Sequence, residues 1–279
     1  MKIQANAKIN LTLDICSKRS DGYHIINSVM QSVSLADLVE IKKSDSISVC
    51  YSDIGKTGEN DICFIAAVKF FEYSKIIGGA QIEVDKKIPC VAGVGGSSSD
   101  AAAVIHGLNR LYNTNYSDNE LCKIALKVGA DVPFCIVGGS CLVSGIGETV
   151  TPIVSIPDCA FLIVVLGKKQ STKQMYDDLD SRPLECPKTE KMLEIWQQGD
   201  LKKISSNLSN AFEALYDITY EKELLSSFSP LGISLSGSGP AVYAIFENAD
   251  KALKAQSQLL KEKIVSYVAM PQKNGVKFE

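Results

Sequence analysis

Residues 89–103 read Pro-Cys-Val-Ala-Gly-Val-Gly-Gly-Ser-Ser-Ser-Asp-Ala-Ala-Ala. Gly93, Gly95 and Gly96 precede Ser97, Ser98 and Ser99, and an alanine-rich segment of helical character follows. Glycine lets the backbone turn at positive φ and come close to a ligand. A helix start adds unpaired N–H groups and the positive end of a dipole. Together they suit phosphate oxygens, and the serines can cap the helix, donate to phosphate or ligate a metal. A plain turn before a capped helix would have the same sequence. The stretch is not a Walker A loop, since no Lys-Ser or Lys-Thr pair closes it. A dinucleotide fingerprint would need a third glycine at Ser98.

Three other places carry chemistry-bearing residues. Asp131, in Gly129-Ala130-Asp131-Val132-Pro133-Phe134, is placed as an N-cap with proline just inside the next helix. A carboxylate at such a helix end beside a phosphate site would also suit a general base. Lys8 lies between Asn6 and Asn10 on one face of an alternating strand. Period alone makes that face solvated, yet asparagine is depleted on exposed strand faces. Ser236-Gly237-Ser238-Gly239-Pro240 is a second small glycine loop, ordinary as a hairpin turn but fit to approach phosphates.

The elements that must position these groups are legible in outline. Residues 2–15 alternate apolar and polar and form a strand with one buried face. Asp21-Gly22 makes a turn, after which Tyr23 and His24 either begin a strand or stack on a flat ligand. Short β-like runs are expected over residues 25–51. A helix begins near Asn60 and Asp61, carries Phe64, Ala67, Val68 and Phe71 on one side, and ends at Gly78-Gly79. Ile82 and Val84 mark the strand leading into the glycine stretch. Ala101, Val104, Ile105, Leu108 and Tyr112 make one helical stripe, which leaves His106 at the surface. Ser117 to Glu120 is a capping box, and Gly129 ends its helix. Gly145-Ile146-Gly147-Glu148 turns between two strands.

Composition shifts near Thr151-Pro152, where the boundary between residues 1–153 and 154–279 is expected. Beyond it come an apolar strand (159–166), a polar loop (167–172), helices over 189–197, 201–215 and 220–228, a strand–turn–strand (233–246), an amphipathic helix (251–261) and a closing strand (264–268). Trp196 is expected in the core.

Bulk properties exclude several classes. A net charge of -3 gives no reason to expect nucleic acid or an anionic membrane as partner. The nine cysteines form no CxxC pair and only two histidines exist, which argues against zinc. Their odd number and scatter fit reduced thiols in the cytoplasm. The first residues lack the apolar core of a signal peptide, and the longest apolar run is too short to span a bilayer.

Taken in order, Ala7-Lys8-Ile9-Asn10-Leu11, the glycine stretch, Gly129-Ala130-Asp131-Val132-Pro133 and Ser236-Gly237-Ser238-Gly239-Pro240 closely resemble the GHMP kinases, named for galactokinase, homoserine kinase, mevalonate kinase and phosphomevalonate kinase. Ala7-Lys8-Ile9-Asn10-Leu11, Arg19-Ser20-Asp21-Gly22-Tyr23-His24 and Gly129-Ala130-Asp131-Val132-Pro133-Phe134 make the chain most similar to the branch whose acceptor is a cytidine diphosphate-linked methylerythritol, in an isoprenoid route. The resemblance covers essentially the whole chain. It implies a two-domain α+β fold, with an N-terminal ribosomal-protein-like α/β domain that binds ATP and a C-terminal ferredoxin-like substrate domain. It implies transfer of the ATP γ-phosphoryl to the acceptor's 2-hydroxyl, with magnesium.

Carried over by position, Asp131 is the base. Lys8 holds that carboxylate ionised and steadies the hydroxyl or the phosphate. Pro89, Cys90, Val91, Ala92, Gly93, Val94, Gly95, Gly96, Ser97, Ser98 and Ser99 wrap the ATP phosphates. Asn10, Tyr23 and His24 are expected near the substrate, with Tyr23 and His24 at the cytosine. Thr172 and Tyr176 match a segment whose aromatic closes on that base. Ser99 or Glu148 is a candidate for magnesium. Val91 and Ser97 depart from the family, which commonly has glycine there. Positive φ at either would strain the loop. A sibling kinase for mevalonate or homoserine, or a nucleotide binder without catalysis, is the alternative. Tyr23, His24 and Tyr176 speak against the first, Lys8 with Asp131 against the second. Monomer and homodimer stay open.

Overall fold

A computed structural model of the chain describes residues 1–167, 171–182 and 188–279. Lys168, Lys169 and Gln170 of the expected polar loop, and the thiol of Cys186, lie outside the described residues.

The chain opens with β1 (Lys2–Asn10), β2 (Thr12–Lys18), β3 (His24–Ser44), β4 (Ser48–Tyr51) and β5 (Gly55–Lys56). Then come α1 (Ile62–Ser74), β6 (Gly79–Asp85), α2 (Gly96–Leu111), α3 (Asp118–Ala125), α4 (Val132–Val137), β7 (Ser140–Gly145) and β8 (Thr149–Pro152). The remainder is β9 (Ala160–Val165), α5 (Thr172–Leu179), α6 (Thr189–Trp196), α7 (Leu201–Ser205), β10 (Ser209–Asn210), a 3₁₀ turn (Ala211–Ala214), α8 (Thr219–Ser226), β11 (Gly232–Leu235), β12 (Ala241–Phe246), α9 (Ala249–Lys261), β13 (Ser266–Ala269) and β14 (Val276–Phe278).

Two sheets organise these elements. The larger has ten strands built around β3, which pairs with β1, β2, β6 and β7. The smaller is antiparallel, in the order β11-β12-β9-β13. Its β9, flanked on both sides, is apolar throughout, as a central strand buried on both faces must be. The last strand, β14, returns to pair with β1 in the first sheet. This is the α+β architecture that the sequence implies.

One row of apolar side chains on β1 serves two cores. Ile3 and Ala5 join the cluster under α1 and α2, while Ala7, Ile9 and, just past the strand's end, Leu11 join a second with Phe161 and Trp196. The division falls where the register with β3 shifts, between Asn6 and Ala7, opposite two extra residues, Ser34 and Leu35. Such a bulge bends and twists a sheet locally.

Several expectations need correction. The polar face of β1 is buried too: Asn6, Lys8 and Asn10 are at most 4% exposed. Residues 2–15 are two strands, broken at Leu11. Residues 24–44 form one long strand instead of short runs, because four neighbouring strands pair along it. The first helix ends at Lys75 in the left-handed region, four residues before Gly79 opens β6. His106 is half-buried rather than at the surface, with Nε2 3.0 Å from the Ile136 carbonyl oxygen, and burial lowers its pKa. The expected helix over 201–215 stops at Ser205, since Asn210 pairs with β2 and its side chain caps the 3₁₀ turn. Trp196 is buried as expected and donates to the Val154 carbonyl at 2.7 Å.

Candidate active site

The two glycine loops dock on one another. Ser236 Oγ donates to the Gly93 carbonyl at 3.0 Å, and the Ala241 amide donates to the Ala92 carbonyl at 2.9 Å. On the other side, the Lys8 amide donates to the Val94 carbonyl at 2.9 Å, so β1 carries the first loop. This packing requires bare backbone. Gly95 sits at φ +76°, and a Cβ there would lie 2.7 Å from Lys8 Cγ. Gly95 is also the N-cap residue of α2, whose first turn holds Gly96, Ser97 and Ser98. A sixteen-residue helix therefore points its positive end and free N–H groups into the space between the loops.

That space is a cavity of about 360 Å³. Its walls include Lys8, Asn10 and Asp131, the loop residues 89–93 and 95–98, and Thr172, Tyr176, Gly237 and Ser238. Lys8 Nζ lies 3.3 Å from Asp131 Oδ2 and donates to Asn10 Oδ1 at 2.8 Å. Asn10 Nδ2 in turn donates to Ser28 Oγ at 2.9 Å, which fixes the amide with its oxygen toward the lysine. Asp131 does occupy the N-cap position of α4, but its side chain makes no capping bond. Of its two readings in the sequence, the cap is only positional, and the carboxylate is turned to Lys8. The Lys8 side chain is 4% exposed and that of Asp131 37%, so the pair has one buried and one reachable member.

Tyr176, also in the cavity wall, stacks on His24, with ring centroids 4.7 Å apart and 22° between planes. Its other neighbour is Phe212, edge-on at 5.0 Å. Burial, followed by the charge of Asp131, raises the Tyr176 pKa, so its hydroxyl stays neutral. Thr172 Oγ1 is 3.1 Å from Ser238 Oγ, joining α5 to the second loop.

Other expected residues are not brought in. Tyr23 projects into solvent and is 58% exposed. Val94, Ser99, His24, Ser236 and Gly239 support the cavity without lining it. Ser99 is fully buried, and its hydroxyl donates to the Asn6 carbonyl at 2.6 Å. Glu148 is exposed and accepts from the Ile146 amide. Neither candidate metal ligand faces the cavity, where Asp131 is the one carboxylate among the lining residues. Ser97 adopts helical geometry without strain, whereas Val91 stands at φ +56°, the strain that a missing glycine there implies.

Sequence reasoning missed Lys86. It lines the cavity, donates to Asp100 at 2.6 Å and also pairs with Asp37. Burial opposes its charge, but Asp100 and Asp37 outweigh that and raise its pKa. Asp100, directly after the three serines, is 0% exposed, and burial raises its pKa to about 8 against the pull of Lys86. The signal was present: a lysine three residues before the loop, and an acid directly ahead of the apolar Ala101-Ala102-Ala103-Val104-Ile105 run of the helix. Leu13, Ile26 and Met30 add an apolar wall that the alternation hid.

Two family models match, the GHMP kinase N-terminal domain over residues 62–139 and the GHMP kinase C-terminal domain over residues 189–265. A 4-diphosphocytidyl-2-C-methyl-D-erythritol kinase of Caldicellulosiruptor saccharolyticus is 42% identical, over 93% of this chain and 92% of its own. One of the same name from Clostridium beijerinckii is 39% identical, over 94% and 96%. A crystal structure of 4-(cytidine 5'-diphospho)-2C-methyl-D-erythritol kinase superposes with a TM-score of 0.80 at 27% identity, covering 97% of this chain and 99% of the other. The chain belongs to the GHMP kinases, in the branch formed by the 4-diphosphocytidyl-2-C-methyl-D-erythritol kinases.

Proposed function

We propose that the protein transfers the γ-phosphoryl group of ATP to the 2-hydroxyl of 4-diphosphocytidyl-2-C-methyl-D-erythritol, giving the 2-phosphate and ADP. Relatives at about 40% identity carry that activity in their names. The observation that carries the reading to this chain is the Lys8–Asp131 pair, 3.3 Å apart, inside a cavity walled by two glycine loops. Phosphoryl transfer asks for in-line positioning and charge stabilisation more than covalent chemistry.

In this reading the α2 N-terminus and the loop amides hold the ATP phosphates. Asp131 accepts the hydroxyl proton as that oxygen attacks the γ-phosphorus, and ADP departs. Lys8, oriented by Asn10 and Ser28, keeps the carboxylate in place and offers positive charge to the transferring group. Tyr176 and His24 form the acceptor end, where a pyrimidine can pack on an aromatic face. Magnesium neutralises phosphate charge when bound with ATP. Among the described residues no cluster of three or more acidic, histidine or cysteine side chains could hold a metal ion.

No described helix is long and apolar enough to cross a membrane. That fits a cytoplasmic enzyme acting on small soluble metabolites, as monomer or homodimer. Residues 1–153 and 154–279 serve as the ATP-binding and substrate units, with β14 returning to the first sheet.

The test is ADP release by the purified protein with magnesium over a panel of alcohols. The cytidyl acceptor should be turned over and mevalonate and homoserine should not. The reverse pattern would overturn the acceptor assignment.

A further inference from the structure

Asp180 follows α5 and lies outside the cavity, yet it touches His24, the residue that stacks on Tyr176 of the cavity wall. Its Oδ1 is 2.7 Å from His24 Nε2, and its Oδ2 accepts from Lys18 Nζ. Lys18 and His24 face each other as register partners at the ends of β2 and β3. One carboxylate thus spans a cross-strand pair, one oxygen to each side chain. The His24 ring, 7% exposed, then lies flat on Tyr176, which lines the cavity.

The two contacts of Asp180 differ in kind. Lys18 is 44% exposed, and exposed ion pairs stabilise little in water. The bond to His24 is directional. It fixes the ring's rotation about its side chain and sets the Nε2 proton toward the carboxylate. It thereby holds the imidazole close to parallel with the tyrosine ring.

We propose that Asp180 is a positioning residue for the acceptor: it holds the His24 imidazole and, through the stack, presents the Tyr176 ring against which the acceptor's pyrimidine packs. This rests on the reading of the acceptor as a cytidine diphosphate compound. A residue in this role acts on acceptor binding and leaves the phosphate cradle as it is.

The experiment is steady-state kinetics of the full chain, varying the cytidyl acceptor and ATP separately. Asp180→Ala should raise the acceptor KM roughly ten-fold while kcat and the ATP KM move less than about two-fold. Asp180→Asn, whose amide can still bond Nε2, should restore most of the loss. Lys18→Met, which removes only the exposed ion pair, should stay within about two-fold of the unaltered protein. In a His24→Phe background, which keeps a stacking ring but no hydrogen bond, Asp180→Ala should add nothing further. An acceptor KM that does not move in Asp180→Ala overturns the proposal. So does an additive loss in the His24→Phe background, or an equal loss for ATP together with a lower Tm, which would make Asp180 a structural fastening. If Asp180→Ala does not fold, the comparison of Asp180→Asn with His24→Phe decides on the same two criteria. Failure of the unaltered protein to phosphorylate the cytidyl acceptor would overturn the function reading instead.

Discussion

The Asp131 carboxylate, at the head of α4, leaves the helix amides uncapped and faces the Lys8 ammonium at 3.3 Å. A side chain in an N-cap position ordinarily stabilises its helix by taking an amide. Here that gain is given up. Asp131→Asn should therefore reduce kcat by about 10²–10⁴-fold, the contribution of a positioned base. ATP affinity, measured by titration calorimetry, should change little. A kcat within a few-fold of the unaltered protein would take the base role away from Asp131.

Gly95 is where the first glycine loop and Lys8 meet. At φ +76°, with Lys8 Cγ 2.7 Å from a would-be Cβ, alanine would be strained and would push the lysine aside. The left-handed backbone alone costs about 1–2 kcal/mol. Gly95→Ala is expected to lower kcat/KM for ATP by more than about ten-fold. Gly58→Ala is the control, because nothing lies within 4 Å of a Cβ there.

Val91 is a β-branched residue at φ +56°, exposed at the cavity edge. Glycine would remove the steric cost of about 1–2 kcal/mol, offset by about 0.4–1 kcal/mol of added freedom in the unfolded chain. Val91→Gly should raise Tm by up to about 4 °C in a scanning calorimeter. A fall in Tm would mean that the valine side chain contributes packing that outweighs the strain.

The Asp37–Lys86–Asp100 cluster sets a pH dependence. Burial raises the Asp100 pKa to about 8, above its unfolded value. The folded state therefore holds a proton that the unfolded state gives up. The stability linked to it is full below pH 4 and is lost as pH rises toward 8. In Asp100→Asn this loss disappears. Tm profiles from pH 5 to 9 should show the unaltered protein falling relative to the variant as pH rises. Parallel profiles would mean that Asp100 is ionised throughout.

What the chain reveals without coordinates follows from how local the cause is. Ser117 and Glu120 meet within one helical turn, and the capping interaction is where the residue types put it. The turn at residues 145–148 and the apolar β9 are likewise written in adjacent residues. Lys8 is different. Alternation assigns its face to water, and only the glycine loop, some ninety residues later, covers it. Lys86 was passed over for the same reason, since its partners Asp37 and Asp100 come from β3 and α2. The residues 201–215 carry helix-forming side chains, but pairing of Asn210 with Leu13 overrides that preference. Tyr23, marked by the same motif as His24, is 58% exposed and off the cavity wall, and a motif does not say which way a ring turns.

The return of β14 to β1 has a kinetic consequence. Asn6, one residue before the bulge and two before Lys8, bonds through its side chain to Asn274, 268 residues away. The strand bearing Lys8 thus gains one of its two neighbours only when the most distant parts of the chain meet. Contacts of such separation form late, because loop closure precedes their reward. Secondary structure and much of the core should therefore appear in refolding before any turnover does. Recovery of activity, rather than of ellipticity, would time the closing of the sheet.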